Sequence, residues 1–149
     1  MDIRSSLSKK KHKLTRTSNK SVTKDGKEII LQANINLLSD LPLAKCFKAQ
    51  GIGLYRSEFP FIIRNTFPTE EEQYKVYSRI TAAMKKKDIV FRTLDIGGDK
   101  MIAQGIQNQE ANPSLGLRAI RFSLKNKDIF KEQLRAMLRA GAEIGRAHV

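Results

Sequence analysis

Short apolar runs alternate with helical-period stretches along most of this chain. Residues 28–35 are mostly apolar, residues 51–55 resume an apolar run, and residues 88–95 form another. Runs of this length predict strands, and runs without polar alternation suit parallel strands buried on both faces. Between them, Leu38, Leu41, Ala44, Cys46 and Phe47 fall near helical spacing and predict a helix over 37–50. Thr69 followed by Glu72 predicts an N-cap with a capping box, opening a helix to about residue 86. Residues 115–124 and 128–140 predict two more helices. The second carries Ile129, Phe130, Leu134, Met137 and Leu138 along one side. Asp25-Gly26 predicts the turn of a hairpin over 21–34, and 59–68 reads as a loop. The order strand, helix, strand, helix, strand, helix predicts parallel βαβ units of an α/β fold. Alternation alone fits an open doubly wound sheet as well as a closed barrel. Gly51-Ile52-Gly53 precedes a strand, so it lacks the strand-to-helix setting of a dinucleotide site.

Composition narrows the class. The 149 residues have the length of one domain, and 40% hydrophobic content is enough for a core. A single cysteine, Cys46, excludes an intrachain disulfide framework and fits a reducing compartment. No apolar run has the length of a membrane span, and the N-terminus lacks a secretory-signal pattern, so a cytoplasmic protein is expected. The net charge of +13 is uneven: through Glu28 there are nine Lys or Arg against three Asp or Glu. Such a run could serve nucleic acid or an anionic membrane. No aromatics interleave Lys9 to Lys13 and no nucleic-acid motif accompanies them. Residues 1–22 therefore read as a solvated basic lead-in, with a nucleic-acid-binding module as the rival.

Chemistry concentrates in three clusters at strand ends or in the loops beyond them: 54–59, 91–100 and 112–121. In parallel α/β proteins the carboxyl ends of the strands face the site. Arg56 and Arg92 stand at two such ends. A guanidinium fork binds phosphate or carboxylate oxygens in pairs and stays charged at every working pH. Converging arginines suit a small phosphate ester and would stabilise charge on phosphoryl oxygens during transfer. The plainer alternative is structural ion pairing, Arg56 with Glu58 and Arg92 with Asp95 or Asp99. Arg118 and Arg121 lie three apart on a presumed helix, where surface charge is the simpler account. His12 and His148 have neither triad partners nor metal-ligand spacing, and Cys46 falls on an apolar helix side. Asp95 and Asp99 lack a third metal ligand.

These clusters carry a resemblance. Gly51-Ile52-Gly53-Leu54-Tyr55-Arg56-Ser57-Glu58-Phe59, Pro68-Thr69-Glu70-Glu71-Glu72-Gln73 and Phe91-Arg92-Thr93-Leu94-Asp95-Ile96-Gly97-Gly98-Asp99-Lys100 resemble the phosphoenolpyruvate-utilising enzymes, as do Asn112 through Arg121 and Gln133-Leu134-Arg135-Ala136. Within them the pattern is most similar to the phosphoenolpyruvate–protein phosphotransferases (the enzyme I branch), in order and spacing from about residue 23 to residue 140. Pyruvate phosphate dikinase and phosphoenolpyruvate synthase share the barrel and are the alternatives. The resemblance implies a (β/α)8 TIM barrel in which Arg56 and Arg92 bind the phosphate of phosphoenolpyruvate and Arg118 supports them. It implies Mg2+, a phosphorylated histidine on a separate domain and a histidine-containing phosphocarrier protein as partner. It also implies a homodimer of the full-length parent, in sugar uptake or nitrogen regulation.

Departures from the family pattern bear on the same expectations. No Gly-Gly-x-x-Ser/Thr-His context is present, and the metal carboxylates and proton-donor cysteine of later strands are missing; Cys46 is not at the matching place. A complete barrel takes about 250 residues, so residues 23–142 are expected to supply roughly three of its eight βα units. Residues 143–149 read as the in-frame translation of a common sequencing adapter and are expected to be an artefact. A barrel piece with an open edge is expected to be marginally stable and inactive by itself.

Overall fold

The computed structural model describes residues 20–63, 67–97 and 116–142. The basic lead-in up to residue 19, with His12, lies outside them, as do Asp99, the tail from residue 143 and His148.

The first two strands, β1 (Ser21–Val22) and β2 (Glu28–Ile29), form a small antiparallel hairpin. Asp25-Gly26 makes its turn as the sequence predicts, with Gly26 at φ +85°. The Thr23 side chain closes the turn: its hydroxyl donates to Asp25 and accepts from the Lys27 N–H at 3.0 Å. That hydroxyl is the main reason the Asp25 carboxyl is held below its ordinary range.

A second sheet holds the core. Its strands β3 (Ala33–Ile35), β4 (Ile52–Arg56) and β5 (Ile89–Arg92) are parallel, in the order β3-β4-β5. Ile35 lies opposite Tyr55, and Tyr55 opposite Phe91. The fold is therefore mixed α/β, and among the described residues the sheet does not close into a barrel.

The apolar run 28–35 is not one strand. It breaks at residues 30–32, because Leu31 exchanges backbone and side-chain hydrogen bonds with Gln50: its N–H donates to Gln50 Oε1 at 2.7 Å and its carbonyl accepts from the Gln50 N–H at 2.8 Å. Ile30 is left 65% exposed and Leu31 55%, so the expectation of burial on both faces fails here.

The helix expected over 37–50 is a 3-10 turn at Leu38–Asp40 followed by α1 (Leu41–Cys46). Asp40 Oδ2 accepts from the N–H groups of Asn36 and Leu37 at 2.9 and 3.0 Å, which fixes its start. Lys48, at φ 56°, turns the chain out of helical conformation at its end. The predicted loop over 59–68 contains a helical turn, α2 (Phe59–Ile63). The Glu58 carbonyl accepts from the N–H groups of Phe61 and Ile62, and Pro60 is tolerated where no intrahelical donor is needed. The helix α3 (Glu70–Ala83) begins at Thr69 with the predicted capping box, the Thr69 N–H donating to Glu72 Oε2 at 3.0 Å. The last helices are α4 (Ile120–Lys125) and α5 (Lys127–Ala142).

Helices α3 and α5 cover one face of the parallel sheet. Tyr77 and Ile80 from α3, with Met84 at its C-terminal cap, meet Ala136, Met137 and Ala140 from α5 over Ile35, Ile52 and Tyr55. Small residues on α5 let the helices approach, and Arg139 fastens their outer edge. It bonds Glu70 and Glu71 at 2.8 and 2.9 Å and lies 4.0 Å over the Tyr74 ring. A second cluster of Phe61, Leu94, Ile96 and Phe122 packs near the strand ends. In β5, strand alternation sends Val90 to the other sheet face, where it is 49% exposed. No helix among the described residues is long and apolar enough to cross a membrane.

Candidate functional site

The parallel register of β4 and β5 sets Arg56 directly opposite Arg92 at the carboxyl ends of the two strands. Neighbouring strands lie about 4.8 Å apart, so two positive side chains emerge side by side. Arg56 is exposed and has no ion pair among the described residues. Arg92 is held from two sides: it donates to Glu58 Oε1, and its Nη1 lies 3.4 Å from Asp95 Oδ2. Asp95 is shared with Arg118, whose Nε donates to Oδ1 at 3.0 Å. Arg118 can lie there because position 97 is glycine: a Cβ at Gly97 would sit 3.1 Å from Arg118 Cγ. The residue after it, Ala119, has φ 50° and ψ −124°, a strained backbone for alanine.

Two acids and two bases thus interleave as Glu58–Arg92–Asp95–Arg118, close to neutral together, and Arg56 adds the excess positive charge. The Glu58 side chain is only 5% exposed and is paired with Arg92. Two buried atoms, Glu58 Oε2 and Arg92 Nε, have no hydrogen-bond partner among the described residues. Burial first, and the Glu58 charge second, push the Tyr55 phenol up to about 12. Tyr77 is raised further, again mainly by burial.

Arg56 and Arg92 come together as the sequence suggests. The Arg92–Asp95 pair forms. The Arg56–Glu58 pair does not, because Glu58 turns inward to Arg92 across the strands. Arg118 is not on a helix with Arg121: α4 begins at Ile120, so Arg118 lies in the preceding turn, half-buried on Asp95, while Arg121 is exposed. Cys46 is partly buried on α1. Sequence reasoning missed the buried polar residues behind the strand ends, Ser57, Gln73 and Gln133. A signal existed for Gln133, which stands four residues from both Ile129 and Met137 on the apolar side of α5. No group of three His, Cys, Asp or Glu able to hold a metal ion occurs among the described residues. Glu58 and Asp95 are already engaged by guanidinium groups, so these residues do not fit Mg2+.

Paired arginines at the carboxyl edge of a parallel sheet in a mixed α/β protein have a chemistry suited to phosphate or carboxylate oxygens. Residues 9–149 match the family described as PEP-utilising enzyme, PEP-binding domain, and the chain belongs to that family. It is 48% identical over 122 residues to the phosphoenolpyruvate-protein phosphotransferase of Mycoplasma capricolum, which covers 82% of the chain. It is 52% identical over 120 residues to that of Staphylococcus carnosus, covering 80% of the chain, and 47% identical over 122 residues to that of Buchnera aphidicola, covering 82%. The chain spans 21% of the length of each of these relatives.

Proposed function

We propose that this chain supplies the phosphate-gripping part of a phosphoenolpyruvate–protein phosphotransferase, with Arg56 and Arg92 binding the phosphoryl oxygens and Arg118 bracing Arg92 through Asp95. The register that pairs Arg56 with Arg92 carries this reading. Two like charges side by side repel until an anion lies between them, and a phosphate dianion answers that need. As the bond from phosphorus to the enol oxygen breaks, charge spreads over the phosphoryl oxygens, which fixed guanidinium donors stabilise without reorganising. The acceptor would be a histidine carried elsewhere in the whole protein, and the phosphoryl group would pass from it to a histidine-containing phosphocarrier protein. Mg2+ would likewise take its ligands from other parts of that protein, a cytoplasmic homodimer.

The sheet face that bears Val90 and carries no helix among the described residues supports reading residues 23–142 as roughly the first three βα units of a (β/α)8 barrel, that face being the barrel interior. The 149-residue chain by itself is then inactive.

A hybrid tests the proposal. Residues 23–142 replace the matching segment of the Staphylococcus carnosus relative, and phosphoenolpyruvate-dependent phosphorylation of its phosphocarrier is measured. An active hybrid that loses activity on Arg92→Met supports the reading. A folded hybrid that is inactive, or one indifferent to Arg92→Met, refutes it.

A further inference from the structure

A chain of buried hydrogen bonds runs behind the arginine pair, through uncharged side chains. The Pro68 carbonyl accepts from Gln73 Nε2 at 2.9 Å, and Gln73 Oε1 accepts from the Tyr77 hydroxyl at 3.1 Å. Gln133 Nε2 reaches that hydroxyl at 3.5 Å and donates to Ser57 Oγ at 3.1 Å. Gln133 Oε1 accepts from the Leu94 N–H at 2.8 Å. All four side chains are buried, Gln133 and Ser57 to 1% exposure.

Gln133 is where the strand ends meet this chain. Ser57 lies between Arg56 and Glu58, and Leu94 lies beside Asp95, two residues beyond Arg92. One carboxamide on α5 therefore holds the segment after β4 by its nitrogen and the segment after β5 by its oxygen. A hydrocarbon at position 133 would continue the apolar stripe of Ile129 and Met137, so burial alone does not call for an amide. What the amide adds is a donor and an acceptor at fixed separation, which no apolar residue and no singly functional group provides. Buried and fully bonded, such a group has one low-energy arrangement and resists displacement.

We infer that Gln133 is a positioning residue for the arginine pair: its carboxamide sets the spacing of the strand ends that carry Arg56 and Arg92, and through it their grip on phosphate. This rests on the reading of those arginines as phosphate ligands.

The full 149-residue chain is compared as wild type, Gln133→Met and Ser57→Ala, each below its melting transition. Gln133→Met keeps the side-chain length and removes all three bonds. Ser57→Ala cuts one bond and decides the matter if Gln133→Met does not fold. Two quantities are read: the Arg92 Nε–Hε resonance without ligand, and the affinity for phosphoenolpyruvate. Both variants are expected to move the resonance and to weaken binding by about threefold to tenfold, the equivalent of one net hydrogen bond. Folded variants that match wild type in the resonance, or that move it without any loss of affinity, overturn the inference. If wild type itself does not bind phosphoenolpyruvate while the variants still move the resonance, the phosphate reading falls and the hold of Gln133 on the strand ends stands.

Discussion

Removing Arg56 separates binding from stability. Arg56 stands opposite Arg92 across about 4.8 Å of strand spacing, and on long side chains the two charges can lie on the order of 6 Å apart. At that distance, with water between them, repulsion is about 0.7 kcal/mol. Glu58 and Asp95 already offset part of the Arg92 charge, so Arg56→Met is expected to leave stability unchanged or raise it by less than about 0.5 kcal/mol. Phosphate loses more. A charge-assisted bond contributes about 1.5–3 kcal/mol, and for an exposed side chain the lower figure applies, a loss of about tenfold in affinity. Titrating phosphoenolpyruvate into wild type and Arg56→Met, followed by phosphorus NMR at low and at physiological salt, measures the loss, and urea unfolding measures stability. The difference between the proteins should narrow as salt screens Arg56. Unchanged affinity, or a marked loss of stability, would refute the assignment of Arg56 as a ligand with no ion-pair partner among the described residues.

The strained backbone at Ala119 gives a second expectation: Ala119→Gly should stabilise the chain by about 1 kcal/mol in urea unfolding, and a destabilised variant would refute the strain. Ala136, fully buried where α5 meets α3, should not tolerate enlargement; Ala136→Leu is expected to cost about 1–3 kcal/mol, and an unshifted urea midpoint would show a looser contact. The phenol of Tyr55 is raised in the folded chain, so folding keeps it neutral when the unfolded chain ionises. Its contribution is present below pH 10 and is lost as pH rises through about 12. The thermal midpoint of wild type should therefore fall more steeply than that of Tyr55→Phe between pH 10 and pH 12, and parallel curves would refute the shift.

Local patterns were enough to determine some features of this protein. The Thr69–Glu72 capping box, the Asp25-Gly26 turn and the alternation of strands and helices depend on neighbours a few residues apart, and each is present as read. The motif stretches that signal the family are equally local. Tertiary structure decided what depends on partners far along the chain. The run 28–35 had the composition of a buried strand, but Gln50 bonds Leu31 and breaks it, and no pattern within the run foretells that partner. Sequence proximity suggested that Glu58 would pair with Arg56. Glu58 instead lies beyond the end of β4, where the chain enters α2, and its side chain reaches Arg92 on the neighbouring strand, 34 residues away. The Gln133 clamp spans 76 residues to Ser57 and 39 to Leu94, and becomes visible only when α5 is laid against the sheet. Residue types and spacing thus identified the arginines as candidates. Strand register, a property of the assembled sheet, made them neighbours.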